Sequence, residues 1–116
     1  MPGDEARAAL VHAVGNWNRG DLKAYMELYA EKVVLHRVPH DLTGKGEVRT
    51  SYEGMWRTFP NSRLALDDVI AEGDKVACRY TWEAKRDDRQ IVSHGMTILH
   101  FSGGQCVERW DMEAGH

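Results

Sequence analysis

The feature that most constrains this chain is a change of hydrophobic period at Ser62. Upstream, apolar residues recur at helical spacing; downstream they alternate every second position, as on a pleated strand. Three short turn signals, Glu72-Gly73-Asp74, Asp87-Asp88 and Ser102-Gly103-Gly104, divide the downstream half into four strands. Connections this short force antiparallel hairpins, because a parallel return needs a crossover of about a dozen residues. The second half is therefore expected to be a four-strand meander.

The first half reads as three helices with one early strand. Asp4 to Asn18 places Leu10, Val14 and Trp17 on one stripe, with acidic residues in the first turn and Gly20 just past the end. Asp21 can cap a second helix whose apolar face is Leu22, Tyr25, Met26 and Tyr29. Val33 to Val38 is short and β-branched and ends at Pro39, so it reads as a strand that enters a loop through His40, Asp41 and Gly44. Val48, Tyr52, Met55, Trp56 and Phe59 then form the clearest helical stripe, stopped by Pro60. The fold class is α+β, a mostly antiparallel sheet closed by three N-terminal helices.

With 116 residues the chain supports one domain, 1–116, around one core. A hydrophobic fraction of 42% and only three Pro argue for a folded globule. The net charge is −3 with both signs scattered, which excludes the basic stripe that tracks a phosphate backbone; no nucleic-acid partner is expected. No apolar run is long enough for a bilayer and no leader pattern opens the chain, so the expectation is a cytoplasmic protein with no membrane partner. Cys78 and Cys106 lack CxxC spacing and read as small buried hydrophobes. His36 and His40 are four apart, but Pro39 breaks the geometry that would make them a ligand pair, and there is no phosphate-binding glycine motif. Neither a metal nor another cofactor is expected.

The strand faces show which side chains the sheet can bury. Cys78, Tyr80, Trp82 and Ala84 alternate with Arg79, Thr81, Glu83 and Lys85, which makes one face dry and aromatic. In the next strand Gly95, Thr97 and Leu99 alternate with Val92, His94, Met96 and Ile98, so both faces are substantially apolar. In the last strand Val107, Arg109, Asp111 and Glu113 share one face and Cys106, Glu108, Trp110 and Met112 the other. Either the charged face meets solvent, or Trp110 and Met112 pack at a subunit interface and the charges turn inward, where they must be paired or functional.

Three segments, "WNRGDLKAYMELYAEKVVLHRVP", "GKGEVRTSYEGM" and "MTILHFSGGQCVERWD", in this order and spacing, resemble the SnoaL-like branch of the nuclear transport factor 2-like superfamily. The resemblance covers nearly the whole chain. It implies a cone of curved sheet closed by helices, an internal pocket, and a homodimer formed through the outer sheet face. Activities in the superfamily include steroid isomerisation, polyketide aldol cyclisation and epoxide hydrolysis, beside members that only bind. In the cyclases a catalytic Asp stands seven residues beyond the glycine of the last hairpin, and from Gly104 that position is Asp111. Their partner histidine falls on Thr97, a departure from the pattern. Against ketosteroid isomerases, Tyr29 and Tyr52 match the pocket tyrosines, whereas the catalytic tyrosine becomes His12 and the base falls near His36 or Arg37. That isomerase chemistry is not supported.

The expected function is binding of a small hydrophobic molecule, with cofactor-free acid/base isomerisation or cyclisation of a carbonyl compound. A carboxylate beside Tyr80 and Trp82 in a dry cavity has a raised pKa unless a cation offsets the lost hydration, which makes Asp111 a candidate base. The developing enolate oxygen needs a donor, for which His12, His36, Tyr29 and Tyr52 are candidates. Trp17, Trp56, Tyr80, Trp82, Thr97 and Arg109 complete the expected site. An epoxide hydrolase, with Arg109 and Asp111 orienting water, and a non-catalytic binding module are the alternatives.

Overall fold

Four long strands follow from the alternating half of the sequence, and a computed structural model, which describes residues 2–114, shows them as β3 (Arg63–Glu72), β4 (Lys75–Arg86), β5 (Arg89–Ser102) and β6 (Gln105–Ala114). Tight turns join them, with Gly73, Gly103 and Gly104 at positive φ. Asp87 and Asp88 also take positive φ, a conformation that short Asx side chains tolerate better than most.

The first half contains α1 (Pro2–Asn18), α2 (Leu22–Tyr25), β1 (Tyr29–His36), β2 (Leu42–Thr43) and α3 (Lys45–Thr58). Two expectations are corrected here. The second helix is only one turn, capped by Asp21 and drawn out through a 3₁₀ turn at Met26–Leu28, so Tyr29 opens β1 instead of closing a helix. Pairing of β1 with β6 outcompetes helix extension, because it satisfies the backbone of Tyr29 opposite Cys106. The two-residue strand β2, paired with Val34 and Leu35, carried no recognisable alternation.

The six strands form one sheet in the order β2-β1-β6-β5-β4-β3, antiparallel except for β1 against β6. Register shifts between Leu66 and Asp68 and between His100 and Phe101 bend the ladder, and bulges of this kind curl a sheet. The helices fill the concave side. Trp17, Met26, Tyr29, Leu35, Val48 and Leu99 are the heart of the core. The exposed edge β3 is covered by α1: the Asn18 side-chain amide donates to Leu64 O and its Oδ1 accepts from Leu64 N, both at 2.8 Å. This reciprocal pair occupies backbone groups that would otherwise invite another strand.

The outer sheet face is apolar without cover. Met96, Ile98, Trp110 and Met112 are exposed there, Met112 to 76%. Among the described residues no helix is long and apolar enough to cross a membrane.

Candidate functional site

Strand alternation decides what the concave face holds. On β4 it turns Cys78, Tyr80 and Trp82 inward; on β5, Ser93, Gly95 and Thr97; on β6, Arg109, Asp111 and Glu113. Together with Leu10, Val14 and Trp17 of α1, Met55 of α3 and Leu64 and Leu66 of β3, these surround a cavity of about 250 Å³. Gly95 shapes it. A Cβ at this position would stand 2.4 Å from the Tyr80 ring, so only glycine lets the ring lie flat against the sheet.

Arg109 organises the polar end. Its Nε donates to Asp111 Oδ1 at 2.7 Å and to Thr97 Oγ1 at 3.1 Å, while one terminal nitrogen donates to Tyr29 Oη at 2.6 Å and more weakly to Tyr25 Oη at 3.4 Å. Thr97 spends its own proton on Trp110 O at 2.9 Å, so its oxygen faces Arg109 as an acceptor. Both side chains of the Arg109–Asp111 pair are 10% exposed. Burial disfavours the charged guanidinium, but the Asp111 charge and the three surrounding phenols outweigh it and hold the Arg109 pKa well above its usual value. The cation that offsets the lost hydration of a buried carboxylate is thus supplied by the neighbouring inward position of the same strand. Oδ2 of Asp111 makes no hydrogen bond within the described residues.

A proton count on the phenols has a chemical consequence. Tyr29 Oη lies 2.8 Å from Tyr25 Oη and 3.2 Å from Tyr52 Oη, besides accepting from Arg109. A hydroxyl carries one proton and two lone pairs, so Tyr29 cannot accept from both phenols and from Arg109. It donates to one phenol and accepts from the other. One phenolic proton is then left over at the far end of the chain, on Tyr52 or on Tyr25, and both of these line the cavity. Burial first, and the neighbouring phenols after it, raise the pKa of Tyr25 and Tyr29 well above the ordinary tyrosine value, so they remain donors.

The expected site residues fall into two groups. Asp111, Thr97, Arg109, Trp17, Tyr52, Tyr80 and Trp82 converge on the cavity. Tyr29 reaches it only through hydrogen bonds, from a fully buried position behind Tyr25 and Tyr52. Trp56 stands one layer back, its ring 5.2 Å from that of Trp17. His12 is not brought to the site: it is exposed on the solvent side of α1, because the buried stripe of that helix runs through Leu10, Ala13 and Trp17. Nor is His36, which β1 turns to the outer face, where Nδ1 bonds Asp41 at 2.8 Å, Nε2 bonds Glu108 at 2.7 Å and the ring stacks on Trp110. These two carboxylates meet opposite ring nitrogens, and among the described residues no three His, Cys, Asp or Glu side chains converge as metal ligands.

Three contributors escaped sequence reasoning. Tyr25 was indistinguishable from a helical core residue; its spacing of four from Tyr29 is the signal, since the turn that joins them stacks the hydroxyls. Ser93 is two residues before Gly95 and therefore shares the inward phase of Thr97, which extending the alternation by one step would have found. Arg37, bonded to Ser51 Oγ at 2.6 Å, reaches the cavity from the end of β1. Cys78 and Cys106 are buried free thiols, each pushed by burial up to about 11 and so inert as nucleophiles.

A family model described as a SnoaL-like domain matches residues 10–109. Among solved structures, the chain is similar to AclR from Streptomyces galilaeus, described as a candidate hydroxylase, with a TM-score of 0.85 and 25% identity over 97% of this chain and 90% of that one. IdmH from Streptomyces antibioticus, described as a candidate polyketide cyclase, superposes with a TM-score of 0.79 and 18% identity over 93% and 91% of the two chains. An NTF2-like protein of unknown function from Burkholderia pseudomallei gives 0.81 and 18% over 95% and 91%. No curated protein matches this sequence.

Proposed function

Because the chain belongs to the SnoaL-like domain family, and because its cavity gathers a carboxylate and a phenolic donor around one guanidinium, we propose that it binds a small, largely apolar carbonyl compound and acts on it by cofactor-free acid/base chemistry, as an isomerase or cyclase. Oδ2 of Asp111 removes a proton from the carbon beside the carbonyl. The electron pair moves onto the carbonyl oxygen, which takes the surplus phenolic proton of Tyr52 or Tyr25 as a hydrogen bond. Arg109 holds Asp111 by Oδ1, which leaves Oδ2 to the substrate, and polarises the phenols through Tyr29, so it positions the base and strengthens the donor. Return of the proton to another carbon isomerises the compound; attack of the enolate carbon on a second carbonyl closes a ring.

The observation that carries this reading is the shared guanidinium. A container would have no reason to bury an Arg–Asp pair, since replacing such a pair with apolar side chains is commonly neutral or stabilising. The test is exchange of the α-protons of 1-tetralone in D₂O, followed by NMR. Wild-type protein is expected to accelerate exchange and Asp111→Asn to lose about 10²-fold or more of that acceleration. Equal rates for the two proteins would sink the assignment and leave a binding module.

The same reading includes a homodimer formed through the outer sheet face and a cytoplasmic setting. Supporting the dimer, Met96, Ile98, Trp110 and Met112 form one exposed apolar patch, and patches of this kind commonly mark interfaces. Sedimentation equilibrium is expected to give twice the chain mass for the wild type and the chain mass for Ile98→Lys; a wild-type monomer at micromolar concentration overturns it. The two free thiols suit a reducing compartment.

A further inference from the structure

Abstraction by Asp111 leaves a proton on a side chain that is only 10% exposed. Most of its polar neighbours cannot carry that proton away. Arg109 stays charged, Thr97 has its hydroxyl proton on Trp110 O, and Tyr25, Tyr29 and Tyr52 are buried and lead into the core. Tyr80 is the exception.

Tyr80 of β4, Gly95 of β5 and Glu113 of β6 stand in one row across the sheet, and Thr97 with Asp111 stands in the next. Because Gly95 has no side chain, the Tyr80 ring crosses β5: Cζ and Oη both lie 2.4 Å from where a Cβ on Gly95 would stand. The hydroxyl is thereby carried over β5, within about 4.8 Å, one strand spacing, of β6. There Asp111 and Glu113 are successive inward positions, roughly 7 Å apart along the strand. Both line the cavity, and Glu113 is exposed where the cavity meets solvent. Tyr80 Oη bonds to no described residue and opens on the cavity.

Burial first and the Asp111 charge next, with a smaller push from Glu113 and against the pull of Arg109, hold the Tyr80 phenol above its ordinary value. A phenol in that condition does not persist as a phenolate. It releases a proton only as it receives another, with its lone pairs on the side of one carboxyl and its O–H toward the other.

We infer that Tyr80 and Glu113 form a proton relay that connects Asp111 with solvent while a ligand fills the cavity. This rests on the isomerase reading and adds how the base is reset. The proton on Asp111 Oδ2 passes to Tyr80 Oη as the Tyr80 O–H proton passes to a carboxylate oxygen of Glu113, which then yields it to water. Asp111 is left as the carboxylate, Tyr80 as the neutral phenol and Glu113 as the carboxylate; run in reverse, the same steps deliver a solvent proton to Asp111. The exposed Glu113 side chain turns onto Oη when substrate is in place, since catalytic contacts commonly tighten only in the complex. Neither residue touches the reacting carbon.

The double-bond shift of 3-cyclohexenone in D₂O tests the relay, with NMR reading deuterium at the γ-carbon of the conjugated product. A relay faster than proton return puts solvent deuterium there, whereas a blocked one returns the proton taken from the substrate. The wild type is expected to place deuterium in most product molecules, and Glu113→Gln and Tyr80→Phe each to lower that fraction about fivefold. The fraction is counted per product molecule, so a variant that is merely slower leaves it unmoved. An equal fraction in all three proteins overturns the relay and leaves the isomerase reading standing. If the wild type does not shift the double bond, both fall.

Discussion

Along β6, successive side chains point to opposite sides of one sheet and obey opposite rules. Arg109 and Asp111 go inward and are buried, whereas Trp110 and Met112 go outward and are exposed. In a sheet packed only for stability the assignment would be reversed, because buried charge is costly and exposed apolar area gains nothing. Under the proposed function the inner face serves recognition and proton transfer, and the outer apolar face meets a second copy of the chain. A single register fixes both at once, since a slip of one residue would exchange them.

The comparison can be broken most severely at the inner pair. Arg109→Leu leaves Asp111 buried without its cation and is expected to lower unfolding stability by about 3–5 kcal/mol in urea titrations; Arg109→Leu with Asp111→Leu should recover most of it. If the double variant were no more stable than the single one, the pair would not be the source of the cost. Next come the phenols. Since the surplus proton resides on Tyr52 or Tyr25, either Tyr→Phe change leaves the other as donor, and the double change Tyr25→Phe with Tyr52→Phe should slow α-proton exchange by about 10²-fold, well beyond the product of the single effects.

A smaller effect sharpens how the cavity is shaped. Gly95→Ala drives the Tyr80 ring off the sheet and into the hollow, and should cost about 1–3 kcal/mol of stability together with affinity for 1-tetralone. In a Tyr80→Leu background the same change should cost little, and a large residual cost there would place the strain elsewhere.

The smallest effect belongs to the outer face. Hydrogen bonds to Glu108 first and Asp41 second raise the His36 pKa above its ordinary value of about 6.5. A raised folded value means that this contribution is complete below the unfolded pKa and is lost as pH climbs through the folded one. Because the cluster is partly exposed, stability should fall by less than about 1 kcal/mol over that window. His36→Gln should flatten the decline, while a profile identical to wild type would assign the decline to other groups.

Much of this arrangement was legible beforehand because strand alternation and helix stripes are local. The meander, its three turns, the third helix and the shared face of Arg109, Asp111 and Glu113 all follow from neighbours in sequence, and so does the phase that includes Ser93. What local pattern could not reveal is which histidines matter. His36 alternates with Val34 and Val38, a local pattern that suits an inward position, but the parallel pairing of β1 with β6 places it beside Trp110 on the outer face. His12 sits one position off the buried stripe of α1, a rotation of about 100° that only the packed helix settles.

The sequence by itself determined the first and third helices, the antiparallel meander and the two candidate faces of each of its strands, because those depend on spacing alone. Only the tertiary structure decided which face is the inside, that Arg109 joins Asp111 to a chain of three phenols, and that Gly95 makes room for Tyr80. These depend on side chains as distant in sequence as Tyr25 and Arg109 meeting across a curved sheet, and curvature arises from the whole ladder and its bulges and not from any one segment of the chain.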